Sequence, residues 1–203
     1  IVAHGRWRIT VSGQGNHAGT TAVADRHDPM IPAAAAVLAA RRVLSGFEGA
    51  VATIGRITPV PGGTNVIASR VDLWLDVRHP DDAVTARIVA EITEAASMAA
   101  AREGCESTIV QESLSASVGF DAGLRERLLG ELPGVPVLAT GAGHDAGVLA
   151  SHVPTAMLFV RNPSGVSHSP AEHVEDRDAE RGAEALADVL AGLLTTAPHT
   201  TAG

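Results

Sequence analysis

The stretch VIASRVDLWLDVR, Val66 to Arg78, alternates apolar and polar side chains over most of its length. Val71, Leu73, Leu75 and Val77 fall on one side of an extended chain; Arg70, Asp72, Trp74, Asp76 and Arg78 fall on the other. A period of two is the mark of a strand with one buried face. Arg6 to Gly13 alternates in the same way, Trp7, Ile9 and Val11 against Arg8, Thr10 and Ser12, and Val51 to Val60 reads as a further strand. Pro29 to Leu44 is rich in Ala and Leu with proline in its first turn, as at a helix start. After His79-Pro80, Asp81 or Asp82 can cap a long helix reaching about Arg102, and Glu106 to Glu112 gives a fourth strand. Strand, helix, strand, strand, helix, strand is the split βαβ or ferredoxin-like arrangement, an α+β unit whose antiparallel sheet carries both helices on one face. It is expected to occupy residues 1–114.

Residues 115–203 follow a different pattern. A helix from Asp121 to Leu129 precedes a short strand at Val135–Leu138 and a glycine-rich turn. A helix at Ala146–Ser151, a strand at Thr155–Val160, a loop from Arg161 to Val174 and a helix from Asp178 to Leu194 complete the pattern. This is α/β with parallel pairing, but two strands make an incomplete parallel sheet. The tail from residue 195 to 203, TTAPHTTAG, is expected to fray.

With 203 residues, the chain is long enough for one domain or two small ones. Aromatic residues are only 2%, so the core must come from Ala, Val, Leu and Ile. A net charge of −8 argues against a nucleic-acid partner. The single cysteine, Cys105, excludes an internal disulfide and fits a reducing compartment. No apolar run approaches the ~20 residues of a membrane span. The N-terminus IVAHGRWRIT lacks an initiator Met and a signal peptide, and reads as a chain that starts partway through something. A soluble, cytoplasmic protein is expected.

Histidine placement is the informative feature. His17 lies in SGQGNHAGTT, His144 in TGAGHDAG and His168 in PSGVSHSPAEH, each ring among short residues that leave it open to a ligand or metal. A single loop histidine is more often solvated or capping than ligating; three such loops are harder to dismiss. For His168, Glu172 stands four residues on, able to orient the ring, and His173 is a weaker candidate. One histidine does not make a metal site, since catalytic zinc needs about three protein ligands. Arg78 suits a carboxylate or an ion pair to Asp72 or Asp76, and Asn65, after the turn PVPGGT, suits an amide-like group.

Four motifs in this order, GNHAGTT, TNVIASRVDLWLDVRH, GAGHDAG and GVSHSPAEH, together resemble the N-carbamoyl-L-amino-acid hydrolase, allantoate amidohydrolase and β-ureidopropionase family. This group is the amidase branch of the two-metal aminoacylase and carboxypeptidase superfamily. The resemblance implies metal-dependent hydrolysis of the ureido C–N bond of a small substrate bearing a carboxylate, with release of ammonia and carbon dioxide. It implies two divalent metals, zinc or manganese, cobalt or nickel, with His168 a ligand to one. His17 would stabilise the oxyanion, delivered by the lid of the partner subunit in a homodimer. Its flanking glycines would let the loop reach across. Asn65 and Arg78 would hold substrate from the lid, Arg78 on its carboxylate, and His144 would contact it from the catalytic domain. Residues 1–114 would be the lid and dimerisation domain, and 115–203 the C-terminal part of the catalytic domain.

Family members are about twice as long, and their first half supplies a His, an Asp, a Glu-Glu pair and a further His that match nothing here. The chain is therefore expected to be inactive alone and to need that N-terminal half. A rival reading is a non-catalytic dimerisation or small-molecule-binding module. Another is an aminoacylase or dipeptidase of the same superfamily.

Overall fold

The computed structural model describes residues 1–195. The tail expected to fray lies outside them except for Thr195, as does His199. Two compact units divide the chain: Ile1–Val118 with Ala139–Ala142, and Gly119–Leu138 with Gly143–Gly203.

The first unit runs β1 (Ala3–Ser12), β2 (Asn16–His17), α1 (Met30–Val43), β3 (Val51–Val60), β4 (Val66–Ile67), β5 (Arg70–His79), α2 (Asp82–Arg102) and β6 (Glu106–Ser115). Four of the strands form an antiparallel sheet in the order β3-β5-β1-β6, while β2 and β4 pair separately. The alternation read from the sequence decides which face is buried. Ile9, Val11, Val71, Leu73, Leu75 and Val77 are all fully buried. They share one cluster with Ala33, Ala36 and Ala40 of α1 and Ile88, Ile92 and Ala96 of α2. The alanines of α1 bring that helix close to the sheet, and burying each large aliphatic side chain stabilises by about 1.5–3 kcal/mol.

The helix ends obey local chemistry. Asp81 caps α2, its Oδ1 accepting from the amides of Ala83 (2.7 Å) and Val84 (3.4 Å). At the far end Gly104 adopts φ 65°, and the Cys105 amide returns to the Ala100 carbonyl at 2.8 Å. That pattern closes a helix with a left-handed residue for which glycine is suited.

The outer face of the sheet is polar, and its one buried carboxylate is satisfied. Asp72 accepts from Thr10 Oγ1 at 2.7 Å and Arg70 Nε at 3.1 Å. Beside it the Arg56 guanidinium lies over the Trp74 ring, 4.2 Å from its centroid.

Three expectations change. Val66 to Arg78 is not one strand: at Ser69 the amide turns to the Val60 carbonyl and the carbonyl receives the Gly13 amide. The preceding residues Val66 and Ile67 are thereby released to pair with β2. The last strand extends to Ser115 past an irregularity opposite Arg6 and Trp7. In the second unit, α3 (Ala122–Glu131), α4 (Asp145–Leu149) and α5 (Asp176–Thr195) form. Val135–Leu138 and Thr155–Val160, however, join no sheet among the described residues. Apolar, β-branched composition gives a segment strand propensity, but a strand needs a ladder partner, and propensity supplies none. Val137, Leu138, Phe159 and Val160 remain exposed.

Both tryptophans, Trp7 and Trp74, lie in the first unit, so their fluorescence follows its unfolding alone. Leu75→Ala should destabilise that unit by about 2–5 kcal/mol, seen as a lower urea midpoint of the tryptophan signal. A midpoint shift below the equivalent of about 1 kcal/mol would contradict the placement of Leu75 in the core.

Candidate functional site

The His17 loop is a tightly bonded turn. The His17 carbonyl accepts from the amides of Thr20 (3.3 Å) and Thr21 (3.2 Å) and from Thr21 Oγ1 (2.8 Å). Its amide is taken by Asn16 Oδ1 at 2.8 Å. The ring is exposed, and its Nδ1 accepts from the Gly19 amide at 3.1 Å. A half-buried arginine, Arg26, ties the turn from below: Nη2 donates to the Ala18 carbonyl at 2.7 Å and Nε to that of Thr21 at 3.1 Å.

Asn65 sits beside His17. The β2–β4 ladder pairs His17 with Val66, and the Ala18 amide donates to the Asn65 carbonyl at 2.9 Å. Arg78 is elsewhere. It lies near the end of β5, opposite His4 of β1, whereas the His17 loop leaves the sheet beyond Ser12, which pairs with Arg70. Eight strand steps carry the chain from Arg70 to Arg78, about 26 Å at the usual rise. The structure therefore joins Asn65 to His17 and places Arg78 at the end of the four-stranded sheet opposite the one from which the His17 loop leaves.

Arg78 is already engaged. Its Nε and Nη2 grip Asp76 at 2.7 and 3.0 Å, and Nη1 donates to the Gly141 carbonyl at 2.6 Å. The ion pair with Asp76 is thus present. The hydrogen bond to Asp76 holds the guanidinium pKa above its ordinary value, against the lowering effect of partial burial. A guanidinium has five N–H donors, and these bonds use three.

In the second unit His144 is the cap of α4, its Nδ1 accepting from the Ala146 amide at 2.9 Å. His168 takes a left-handed conformation, φ 58°, rare outside glycine. Glu172 holds it there, but through the backbone: Oε2 accepts from the His168 amide at 2.9 Å and Oε1 from Ser167 Oγ at 3.1 Å. The expectation that Glu172 orients the ring gives way to this. Neither ring nitrogen of His168 bonds within the described residues, so the exposed imidazole fits a metal ligand. The set around it does not complete a site: among the described residues no group of three or more His, Cys, Asp or Glu could hold a metal ion. Nor is any helix there long and apolar enough to cross a membrane.

Comparison with known proteins gives this architecture a class. Peptidase family M20/M25/M40 matches residues 16–192, and the chain belongs to that family. It is 32% identical to allantoate amidohydrolase of Bacillus subtilis over 94% of its length and 47% of the relative's. It is 31% identical to N-carbamoyl-L-amino-acid amidohydrolase of Pseudomonas sp. over 89% and 45%. Among solved structures, that of AtUAH in complex with (S)-hydroxyglycine superposes with a TM-score of 0.88 at 25% identity, covering 95% of this chain and 47% of that one. The chain spans about half the length of the curated relatives it matches.

Arg26 escaped the sequence reading; Asp76 stood in it as one of two ion-pair partners for Arg78, and Gly19 only as a glycine flanking His17. The available signal for Arg26 was the turn itself, since the carbonyls of a compact loop need donors and an arginine stands five residues beyond Thr21. Arg26→Ala should leave the tryptophan unfolding signal almost unchanged while accelerating amide hydrogen exchange from Ala18 to Thr21. Exchange at the wild-type rate would show that Arg26 does not hold the turn.

Proposed function

We propose that this chain supplies the lid and the C-terminal catalytic segment of a metal-dependent amidohydrolase. The enzyme would cleave the ureido C–N bond of N-carbamoyl-L-amino acids or allantoate, releasing ammonia and carbon dioxide. The names of the curated relatives and general metal dependence in the M20 family support this reading.

The observation that carries the arrangement is the placement of Arg78 at one end of the sheet and of the His17 loop, with Asn65, beyond the other. The strand between those ends spans about 26 Å, several times the length of an N-carbamoyl amino acid, so one lid cannot engage one substrate with both ends. Two copies can. Arg78 of one subunit would bind the substrate carboxylate with its two remaining N–H donors, a role suited to a guanidinium held in place by Asp76. His17 and Asn65 would come from the partner subunit, the imidazole facing the oxygen on which charge develops. His144 would contact substrate, and His168 would be one ligand to a divalent metal, zinc, manganese, cobalt or nickel, which activates water when bound. The other ligands and the general base would come from residues this chain does not contain. In support, Val137, Leu138, Val148 and Phe159 expose apolar side chains that a larger catalytic domain would cover.

The purified chain, supplied with zinc, manganese or cobalt, should release no ammonia from N-carbamoyl amino acids or allantoate and should bind a hydrophobic dye. Turnover by the chain alone would overturn the incomplete-site reading. In the complete enzyme His17→Ala should cost about 10²–10³ in kcat, the usual loss for an oxyanion donor. Arg78→Ala should act mainly through KM. Mixing the two variants tests the shared site directly, at a substrate concentration far below the raised KM of Arg78→Ala, where each alone is nearly inactive. Half the dimers are mixed and each regains one site, so about a quarter of the wild-type rate should return. If mixing restores nothing, His17 and Arg78 serve the same subunit's site or none.

A further inference from the structure

We infer that backbone amides set His17 and His144 as Nε2–H tautomers, so that both rings present a neutral N–H donor and neither acts as a base or as a metal ligand through Nε2. The two loops are unrelated in sequence and lie in different units, yet each uses the same device. His17 Nδ1 receives the amide of Gly19 at 3.1 Å, and His144 Nδ1 receives the amide of Ala146 at 2.9 Å, in each case two residues on. An amide N–H can only donate, so Nδ1 must be the acceptor, and in a neutral imidazole the proton then resides on Nε2. A histidine that ligates metal through Nε2 has the reverse arrangement, with Nδ1–H given to a carbonyl or carboxylate. His173 shows that reverse pattern in this chain, its Nδ1 lying 3.1 Å from the Ala171 carbonyl, which can only accept.

Close packing reinforces the assignment at His17. A Cβ on Gly19 would stand 3.2 Å from His17 Cε1 and 3.5 Å from Nδ1, so the ring lies directly on the glycine backbone. Residue 19 is a positioning residue: its amide selects the tautomer, and its missing side chain leaves room for the ring. Ala146 does the first of these for His144 from the start of α4, where an amide has no helical partner of its own. That the two N–H groups are used on a ureido substrate rests on the function proposed above; the tautomers do not.

The test is the two-bond 1H–15N spectrum of the histidine rings in the intact labelled chain, at about pH 8, above the ordinary histidine range. His17 and His144 should each show a pyrrole-type Nε2 and a pyridine-type Nδ1, with a scalar coupling across the hydrogen bond from the Gly19 amide nitrogen to His17 Nδ1. A pyrrole-type Nδ1 at either residue, or averaged shifts, would overturn the inference there. Ala146→Pro removes one donor, a first-turn amide that has no helical hydrogen bond of its own to lose. It should move His144 toward averaged shifts and leave His17 unchanged; an unchanged His144 would remove the role given to Ala146. In the complete enzyme, His17→Gln retains an N–H near the Nε2 position and should recover part of the activity that His17→Ala loses, whereas equal loss would mean the ring moves a proton. If His17→Ala leaves ammonia release intact, the oxyanion role proposed for His17 fails while the tautomer assignment stands; reversed ring spectra do the opposite.

Discussion

Everything in the first unit depends on the pairing of β1 with β5. The two ten-residue strands run antiparallel in unbroken register from Ala3 opposite His79 to Ser12 opposite Arg70. Because side chains alternate along a strand, that one register fixes two faces at once. Ile9, Val11, Val71, Leu73, Leu75 and Val77 turn inward onto the helices with Trp7, and Asp72, Trp74, Asp76 and Arg78 turn outward with Arg6, Arg8 and Thr10. A slip of one residue would exchange the faces and bury the ion pairs, at a cost the helices could not offset. The same register sets the ends of the sheet, one carrying Arg78 and the other the His17 loop.

The fold was legible where burial and period coincide. Alternation in Val71–Val77 and Trp7–Val11, and the aspartate before α2, are local signals whose cause is local. The break at Ser69 was not legible. Val66-Ile67 continues the apolar pattern, and only the amide of Ser69 turning to Val60 and its carbonyl receiving Gly13 divert it, a consequence of tertiary pairing. Val135–Leu138 and Thr155–Val160 fail in the opposite sense. Their composition suits strands, but strand formation belongs to the pair, and no described segment pairs with them.

The candidate residues were found as residue types, and their grouping was not. Asn65 and Arg78 are thirteen positions apart on what reads as one extended run, which suggests neighbours acting together. In three dimensions the small β2–β4 ladder draws Asn65 to His17, and β5 carries Arg78 away. Arg78 as a carboxylate fork and Arg78 as a partner of Asp76 stood as alternatives in the sequence. The structure shows the second, and the bond count leaves room for the first: a guanidinium held by one carboxylate loses less freedom on meeting another.

Two glycines near His17, Gly13 and Gly19, are closely packed. A Cβ at Gly13 would meet the His27 carbonyl, and would stand 2.8 Å from Pro29 Cδ and 2.9 Å from Cys105 Sγ. That lack of space seats the start of the loop against the buried thiol, whose pKa burial raises above its ordinary value. At Gly19 the same lack of space seats the imidazole. This loop is small because it is crowded: Arg26 holds its carbonyls, Asn16 its first amide, and the ring rests on Gly19. In the oxyanion role proposed for His17, a donor is effective to the extent that its orientation is set before charge develops. The permissive composition around His17 therefore yields a constrained ring, and the freedom glycine gives the chain is spent on fixing a single nitrogen.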